Sequence, residues 1–355
     1  MRIVLVTDAW KPQLNGVVRT LATLRDELAR LGHQPTYITP DLFATIPCPT
    51  YPEIRLALAP GRKLARMIEE ARPEAIHIST EGPLGWAARS FVLKRGLPFS
   101  TAYHTKFPEY IHARSRLPLS WSYAVMRRFH AKSSSVMVAT PTVEEELRRA
   151  GFQHMKRWSR GVDTTLFRPH GEDEIARLAP QAAAMAKPLF VYVGRVAVEK
   201  NIGAFLDLDL PGSKMVVGDG PMIDELRRKH PAVLFVGAKV GAELAAHFAA
   251  ASCFVFPSRT DTFGLVLLEA LASGLPVAAY PVPGPLDVLT GSSAGVMDAD
   301  LGQAARAALA IPREAARNYA LTFSWESSAR QFLANLAPFD TAVWKTQTAP
   351  APAAA

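Results

Sequence analysis

Short apolar runs of strand character alternate with amphipathic stretches of helical period along most of this chain, and they do so in two successive series. In the first, "RIVLVT" (2–7), "PTYIT" (35–39), "AIHIS" (75–79), "PFSTAYHT" (98–105) and "SVMVAT" (135–140) read as strands. Residues 16–32, 61–73, 83–96 and 141–151 read as helices between and after them, two of them stopped by Gly32 and Gly96 and the last opened by Pro141. The second series has strands at 189–194, 214–218, 232–237, 253–257 and 276–280, with helices at 202–208, 241–251 and 265–273 and over "PMIDELRRKH". Such alternation has one economical solution, a parallel sheet covered by helices. Two series of similar size in 355 residues predict an α/β protein of two doubly wound, Rossmann-like parallel-sheet domains joined near 165–185. Ligands bind such sheets beyond the carboxyl ends of the strands, so two facing units imply a cleft. The tail "TAPAPAAA" (348–355) has the low-complexity composition of a disordered segment.

Charge is distributed unevenly over this frame. Residues 1–170 hold 25 Lys and Arg against 14 Asp and Glu, a net of +11, whereas 171–355 hold 15 against 18, a net of −3. The first half is therefore expected to meet something anionic, a membrane surface or nucleic acid, although a solvated surface could also drift this far. Apolar residues make up 49% and charged residues 20%, which suits sizeable cores. The apolar runs are too short to span a bilayer, and "MRIVLVTDAWKPQLNG" reads as a first strand instead of a signal peptide. Cys48 and Cys253 lie far apart without ligand spacing, the pattern of a reduced, cytosolic chain without a structural metal.

The residues suited to chemistry follow strand ends. In "VGRVAVEKN" (193–201) Gly194 lets the chain turn, and Arg195 and Lys200 emerge around it, one able to grip a diphosphate bidentately and the other a point charge. A solvated loop with two stray basic residues would look the same. "VGDGP" (217–221) brackets Asp219 with Gly218 and Gly220, where backbone N–H groups could approach a ligand, or simply make a turn. In "SRTDTFGLVLLEALASGLPV" Asp261 and Glu269 stand eight positions apart; the Phe263-Gly264 break places Asp261 on a loop and Glu269 in the following helix, a pattern also compatible with polar capping. "TDAWKPQLNGVVRT" puts Gly16 at a helix start, and "AYHTKFPEY" puts His104 just past a strand, where a satisfied core histidine is the alternative. No G-x-G-x-x-G is present, which argues against a nicotinamide dehydrogenase, and "DLDL" (207–210) lies off the strand ends, which argues against a metal site.

Taken together, "NGVVRTL", "HT", "RGVDTTLF", "GRVAVEKN", "GDGP" and "PSRTDTFGLVLLEALASGLPV" resemble, in this order and over nearly the whole chain, the family-four retaining glycosyltransferases with the GT-B fold. The resemblance implies a metal-independent retaining hexosyltransferase with no cofactor, its domains spanning roughly 1–168 and 172–322, and a C-terminal helix within 323–340 packing back on the first. It implies that Arg195 and Lys200 bind the donor diphosphate and that Glu269 holds the ribose. Asp261, with Thr262, Phe263, Gly264 and Leu265 behind it, would meet the sugar hydroxyls. Gly194, Gly218 and Asp219 would line the donor, Gly16 would let the first loop approach the phosphate, and His104 would lie by the transferred sugar. The family's usual Glu is Asp at 261, one methylene shorter, so the donor sugar does not follow from the motif. The "TDTFG" variant with "TEGPLG" (80–85) and "YHTKFPEY" is similar to a subgroup of GDP-mannose-dependent mannosyltransferases and of sulfoquinovosyl, glucosyl and glucuronosyl diacylglycerol synthases.

The acceptor expectation rests on "HARSRLPLSWSYAVMRRFHAK" (112–132). Leu117, Leu119, Trp121, Tyr123, Val125, Met126 and Phe129 interleave there with Arg114, Arg116, Arg127, Arg128 and Lys132, as in a segment that inserts at an anionic membrane surface. An ordinary helix with core aromatics is the alternative. Partners expected are a UDP- or GDP-hexose and a lipid, diacylglycerol first, for a cytoplasmic enzyme peripheral on the inner membrane. A soluble or polysaccharide-directed GDP-mannose transferase would not need the basic half. Nucleic-acid binding would leave the strand-end motifs unexplained, and a non-catalytic nucleotide-sugar sensor would leave an intact donor set idle. Hinge motion is expected near 165–185 and 322–326.

Overall fold

The computed structural model describes residues 1–13, 15–48, 51–109 and 118–344, without the side chains of 51–53. The chain forms two compact units. The first comprises Met1–Ala139, Glu144–Ser159 and the segment from Ser328; the second comprises Thr140–Val143 and Arg160–Ser327.

The first unit is built on a parallel sheet of β1 (Arg2–Val6), β2 (Gln34–Ile38), β5 (Ala75–Ile78), β6 (Ser100–Tyr103), β7 (Ser135–Val138) and β8 (Met155–Arg157), in the order β2-β1-β5-β6-β7-β8. The central strands are buried on both faces, which is why they read as continuous apolar runs. Val4, Val6, Ile76 and Ile78 pack under the Gly61–Ala71 and Pro83–Lys94 helices, while Ile3 and Leu5 face Leu21, Leu24 and Leu28 of the Gly16–Arg30 helix. A two-stranded antiparallel hairpin, β3 (Thr45–Cys48) with β4 (Tyr51–Ala57), stands outside this sheet.

The second unit repeats the plan with β9 (Leu189–Val193), β10 (Ser213–Val217), β11 (Leu234–Phe235), β12 (Cys253–Phe256), β13 (Val277–Ala279) and β14 (Gly295–Met297), ordered β11-β10-β9-β12-β13-β14 and all parallel. In each sheet the strand order reverses at one place, between β1 and β5 in the first and between β9 and β12 in the second. Those reversals open a crevice at the carboxyl ends.

Several expectations are corrected. The hairpin β3–β4 and the edge strands β8 and β14 did not stand out, being short or polar on one face. The helix expected over 202–208 shrinks to Gly203–Leu206, because Gly203 opens it and the acids at 207 and 209 follow. The first unit stops at Ser159 instead of near 168. Residues 160–168 belong to the second unit, where Arg317 donates to the carbonyls of Thr164 and Phe167 (2.9 and 2.7 Å) and Gly161 abuts the Trp325 backbone. The C-terminal helix, Trp325–Ala334, straddles the cut. From Ser328 it belongs to the first unit, where Ser328 and Gln331 bond Trp158 and Ser159 and Phe332 enters the core.

Candidate functional site

The reversal in the second sheet carries the residues singled out in the sequence. β9 ends at Val193 and the chain turns at Gly194, whose φ of +152° favours glycine. The loop then presents Arg195, a short 3-10 turn over Val198–Lys200, and Asn201 in the left-handed region. Across the reversal, β12 feeds the loop from Pro257 to Gly264, and a helix begins at Leu265, so Asp261 lies on the loop and Glu269 in the helix. Side-chain contacts join the two loops. Lys200 Nζ donates to Asp261 Oδ1 at 2.5 Å, Asn201 Nδ2 to the Pro257 carbonyl at 3.1 Å, and Thr260 Oγ1 to the Glu199 carbonyl at 3.2 Å. The lysine and aspartate side chains are 20% and 18% exposed, so this ion pair is partly desolvated yet reachable. Glu269 is buried at 4% exposure and Phe263 is buried, whereas Thr262, Gly264 and Leu265 are half-buried.

On its other side the Arg195 loop is closed against the turn after β10. Gly194 N donates to the Val217 carbonyl (3.0 Å), Val196 N to the Asp219 carbonyl (2.9 Å) and Met222 N to the Val196 carbonyl (3.2 Å). A Cβ on Gly218 would sit 1.8 Å from the Gly194 oxygen, and one on Gly220 2.3 Å from that of Val196. This revises the role read for "VGDGP". Gly218 N–H is committed to the Gly237 carbonyl and Gly220 N–H to Asp219 Oδ1, so the glycines serve loop-to-loop packing more directly than ligand approach.

In the first unit Gly16 opens its helix and is exposed, behind Asn15, whose Oδ1 accepts from Val17 N and Val18 N at 3.0 Å. His104 follows β6, half-buried with its ring edge-on to Trp158 at 5.5 Å. Sequence reasoning passed over a group at the reversal of the first sheet. Asp8, at the end of β1, accepts from Leu84 N (2.9 Å), Gly85 N (3.3 Å) and Thr80 Oγ1 (2.9 Å), bracing the loop after β5 across the reversal. Burial pushes its carboxyl above the usual range, against the lowering effect of those donors. A Cβ on Gly82 would fall 2.4 Å from Asp8 Cγ, which explains the first glycine of "TEGPLG". Beside it, His130 Nε2 meets Glu81 Oε1 at 3.2 Å and His130 Nδ1 meets Thr101 Oγ1 at 2.8 Å; His130 and Thr101 are buried and the Glu81 residue half-buried.

The Leu119–His130 helix divides the residues expected at a membrane. Met126 and Phe129 are buried in the unit, and Tyr123 donates to Glu109 at 2.6 Å. Leu119, Trp121 (68% exposed) and Val125 point outward, with Arg127, Arg128 and Lys132 also exposed. Arg127 bonds the Ala150 carbonyl. Leu117, Arg114 and Arg116 lie outside the described residues. No helix among the described residues is long and apolar enough to cross a membrane.

Two Rossmann-like parallel-sheet units with cationic loops at a strand-order reversal define the GT-B class of nucleotide-sugar enzymes. Residues 14–166 match the family described as Glycosyltransferase Family 4 and residues 187–312 that of Glycosyl transferases group 1. The chain is 28% identical over 319 residues to a GDP-mannose-dependent alpha-mannosyltransferase of Mycobacterium tuberculosis, covering 84% of this chain and 83% of the other. It is 31% identical over 258 residues to the sulfoquinovosyl transferase SQD2 of Arabidopsis thaliana, covering 69% of this chain and 50% of that protein's length. To an alpha-monoglucosyldiacylglycerol synthase of Streptococcus pneumoniae it is 29% identical, covering 80% and 72%. Among solved structures, sucrose-phosphate synthase of Thermosynechococcus elongatus superposes with a TM-score of 0.73 at 24% identity over 94% of this chain and 97% of that one. Anabaena HepE in complex with UDP gives 0.69 at 15% identity over 94% and 99%, a likeness of fold. The chain belongs to these glycosyltransferase families, and it is a hexosyltransferase that draws on a nucleotide sugar.

Proposed function

We propose that the chain moves a hexose, with retained anomeric configuration, from a UDP- or GDP-sugar to a lipid acceptor, diacylglycerol first, at the anionic inner membrane surface. The observation that carries the donor half is the Arg195–Lys200 loop clamped beside Asp261 at the reversal of the second sheet. On donor binding Lys200 turns from Asp261 toward the diphosphate, and Arg195 grips the same group. Asp261 and the backbone from Phe263 to Leu265 meet the sugar hydroxyls, and Glu269 accepts from the ribose. As the bond from the anomeric carbon to the phosphate oxygen breaks, negative charge grows on the diphosphate, where the two cations stabilise it. The acceptor oxygen bonds the anomeric carbon on the same face, and its proton passes to the departing phosphate oxygen. Two fixed cations do the work of neutralisation, so the reaction is proposed to need no metal. Gly16 and His104 serve the acceptor side of the first unit.

The lipid half is supported by exposed Leu119, Trp121 and Val125 among basic residues, by the net charge of the first half, and by relatives named alpha-monoglucosyldiacylglycerol synthase. The competing reading is a soluble or polysaccharide-directed α-mannosyltransferase, favoured by relatives named GDP-mannose-dependent alpha-mannosyltransferase that match 84% of the chain. The test offers UDP-glucose, UDP-glucuronate, UDP-galactose and GDP-mannose separately to the protein with anionic vesicles containing diacylglycerol. A glycolipid from one donor is expected. Mannose transfer to a water-soluble acceptor, with none to lipid, would replace this reading by the other.

A further inference from the structure

We infer that Tyr192 is a positioning residue for the donor diphosphate, acting through Arg195. This rests on the donor-site reading above and adds to it a residue that touches no substrate. Tyr192 lies on β9, the strand that feeds the cation loop, and is 2% exposed. Its phenol donates to the Arg195 carbonyl at 2.7 Å, closing the turn that the chain makes between residues 192 and 195. The turn folds over the hydroxyl so closely that a Cβ on Gly194 would come within 2.9 Å of it. The glycine is thus demanded by the tyrosine beneath as well as by its own backbone angle.

The hydroxyl also lies in the field of Lys200, Asp261 and Glu199, and burial drives its pKa well above the usual tyrosine range, so it remains a neutral donor throughout the working pH. The loop that carries Arg195 is then held at three places: at the Arg195 carbonyl by Tyr192, at Gly194 and Val196 by the turn after β10, and at Asn201 by the loop after β12. A cation stabilises a developing charge to the extent that its geometry is fixed before the charge appears. Releasing the carbonyl leaves the guanidinium attached but loosely aimed.

The test is a double-mutant cycle on the full-length chain, measuring UDP and GDP binding by calorimetry against UMP and GMP. Tyr192→Phe keeps the ring volume, and a thermal unfolding scan checks that the fold is retained. The expected result is about tenfold weaker binding of whichever diphosphate the protein prefers, the effect of one buried hydrogen bond, with less than about twofold change for its monophosphate. In an Arg195→Ala background the same substitution should cost less than about twofold, since the bonded carbonyl remains but the guanidinium it aims is gone. Equal losses in both backgrounds, or equal losses for mono- and diphosphate, would assign Tyr192 to packing alone and overturn the inference while leaving the donor reading intact. Diphosphate binding unchanged by Arg195→Ala would sink the donor reading, and this inference with it.

Discussion

The Lys200–Asp261 pair places a carboxylate against a lysine that the donor reading assigns to phosphate. The two roles compete, and the competition has a sign. Removing the carboxylate by Asp261→Asn frees Lys200 and lessens repulsion of the incoming diphosphate. Nucleotide diphosphate affinity should therefore rise roughly three- to tenfold, about 1 kcal/mol for one partly exposed charge, while sugar transfer falls because a sugar contact is lost. Calorimetry and turnover measured side by side check this, and a weakened diphosphate with unchanged transfer would refute it. Asp8 supplies a pH test. Its buried carboxyl holds its proton more tightly in the folded than in the unfolded chain, so its share of stability is present below the ordinary carboxylate range and is lost as pH rises through the raised value. Unfolding midpoints of the wild type relative to Asp8→Asn should fall as pH rises above the ordinary carboxylate value of about 4, and a flat difference would contradict the assignment. Arg195, Lys200 and Asp261 were legible because motif order and strand ends mark them. Asp8 was not, since its partner Thr80 lies 72 positions away and no local pattern announces the brace.

Elements explain why these residues arrive together. The turns after β9 and β10 lock backbone to backbone, which needs glycine where carbonyls come nearest, and the loop after β12 joins them through side chains. Gly218→Ala would press a Cβ into the Gly194 carbonyl at a φ of +148°. We expect a loss of about 2–4 kcal/mol and a midpoint lower by roughly 5–15 °C, together with weaker diphosphate binding because the Arg195 loop shifts. Retention of both would show that the turns are not coupled. The parallel strands could be read from the sequence, since burial on both faces leaves them uniformly apolar. The β3–β4 hairpin could not, because its register breaks at Pro47/Cys48 and alternation is lost there.

For the whole molecule, what matters is where charge and exposed apolar surface lie relative to the two units. The net of +11 belongs to residues 1–170, most of which form the first unit, and that unit also carries the outward Leu119, Trp121 and Val125. Trp121→Ala should weaken binding to anionic vesicles roughly tenfold, the apolar area of one aromatic side chain. It should barely move the unfolding midpoint, because Trp121 is exposed. Raising the salt should weaken binding further, and flotation assays unaffected by either change would remove the membrane from the account. The account's central claim, transfer from a nucleotide diphosphate sugar held at the second sheet, is tested most directly by the turnover of Arg195→Ala with the preferred donor. A fold-intact variant should transfer sugar at least about a hundredfold more slowly, as expected when a preorganised charge facing the leaving group is removed. Turnover within about twofold of the wild type would contradict the account.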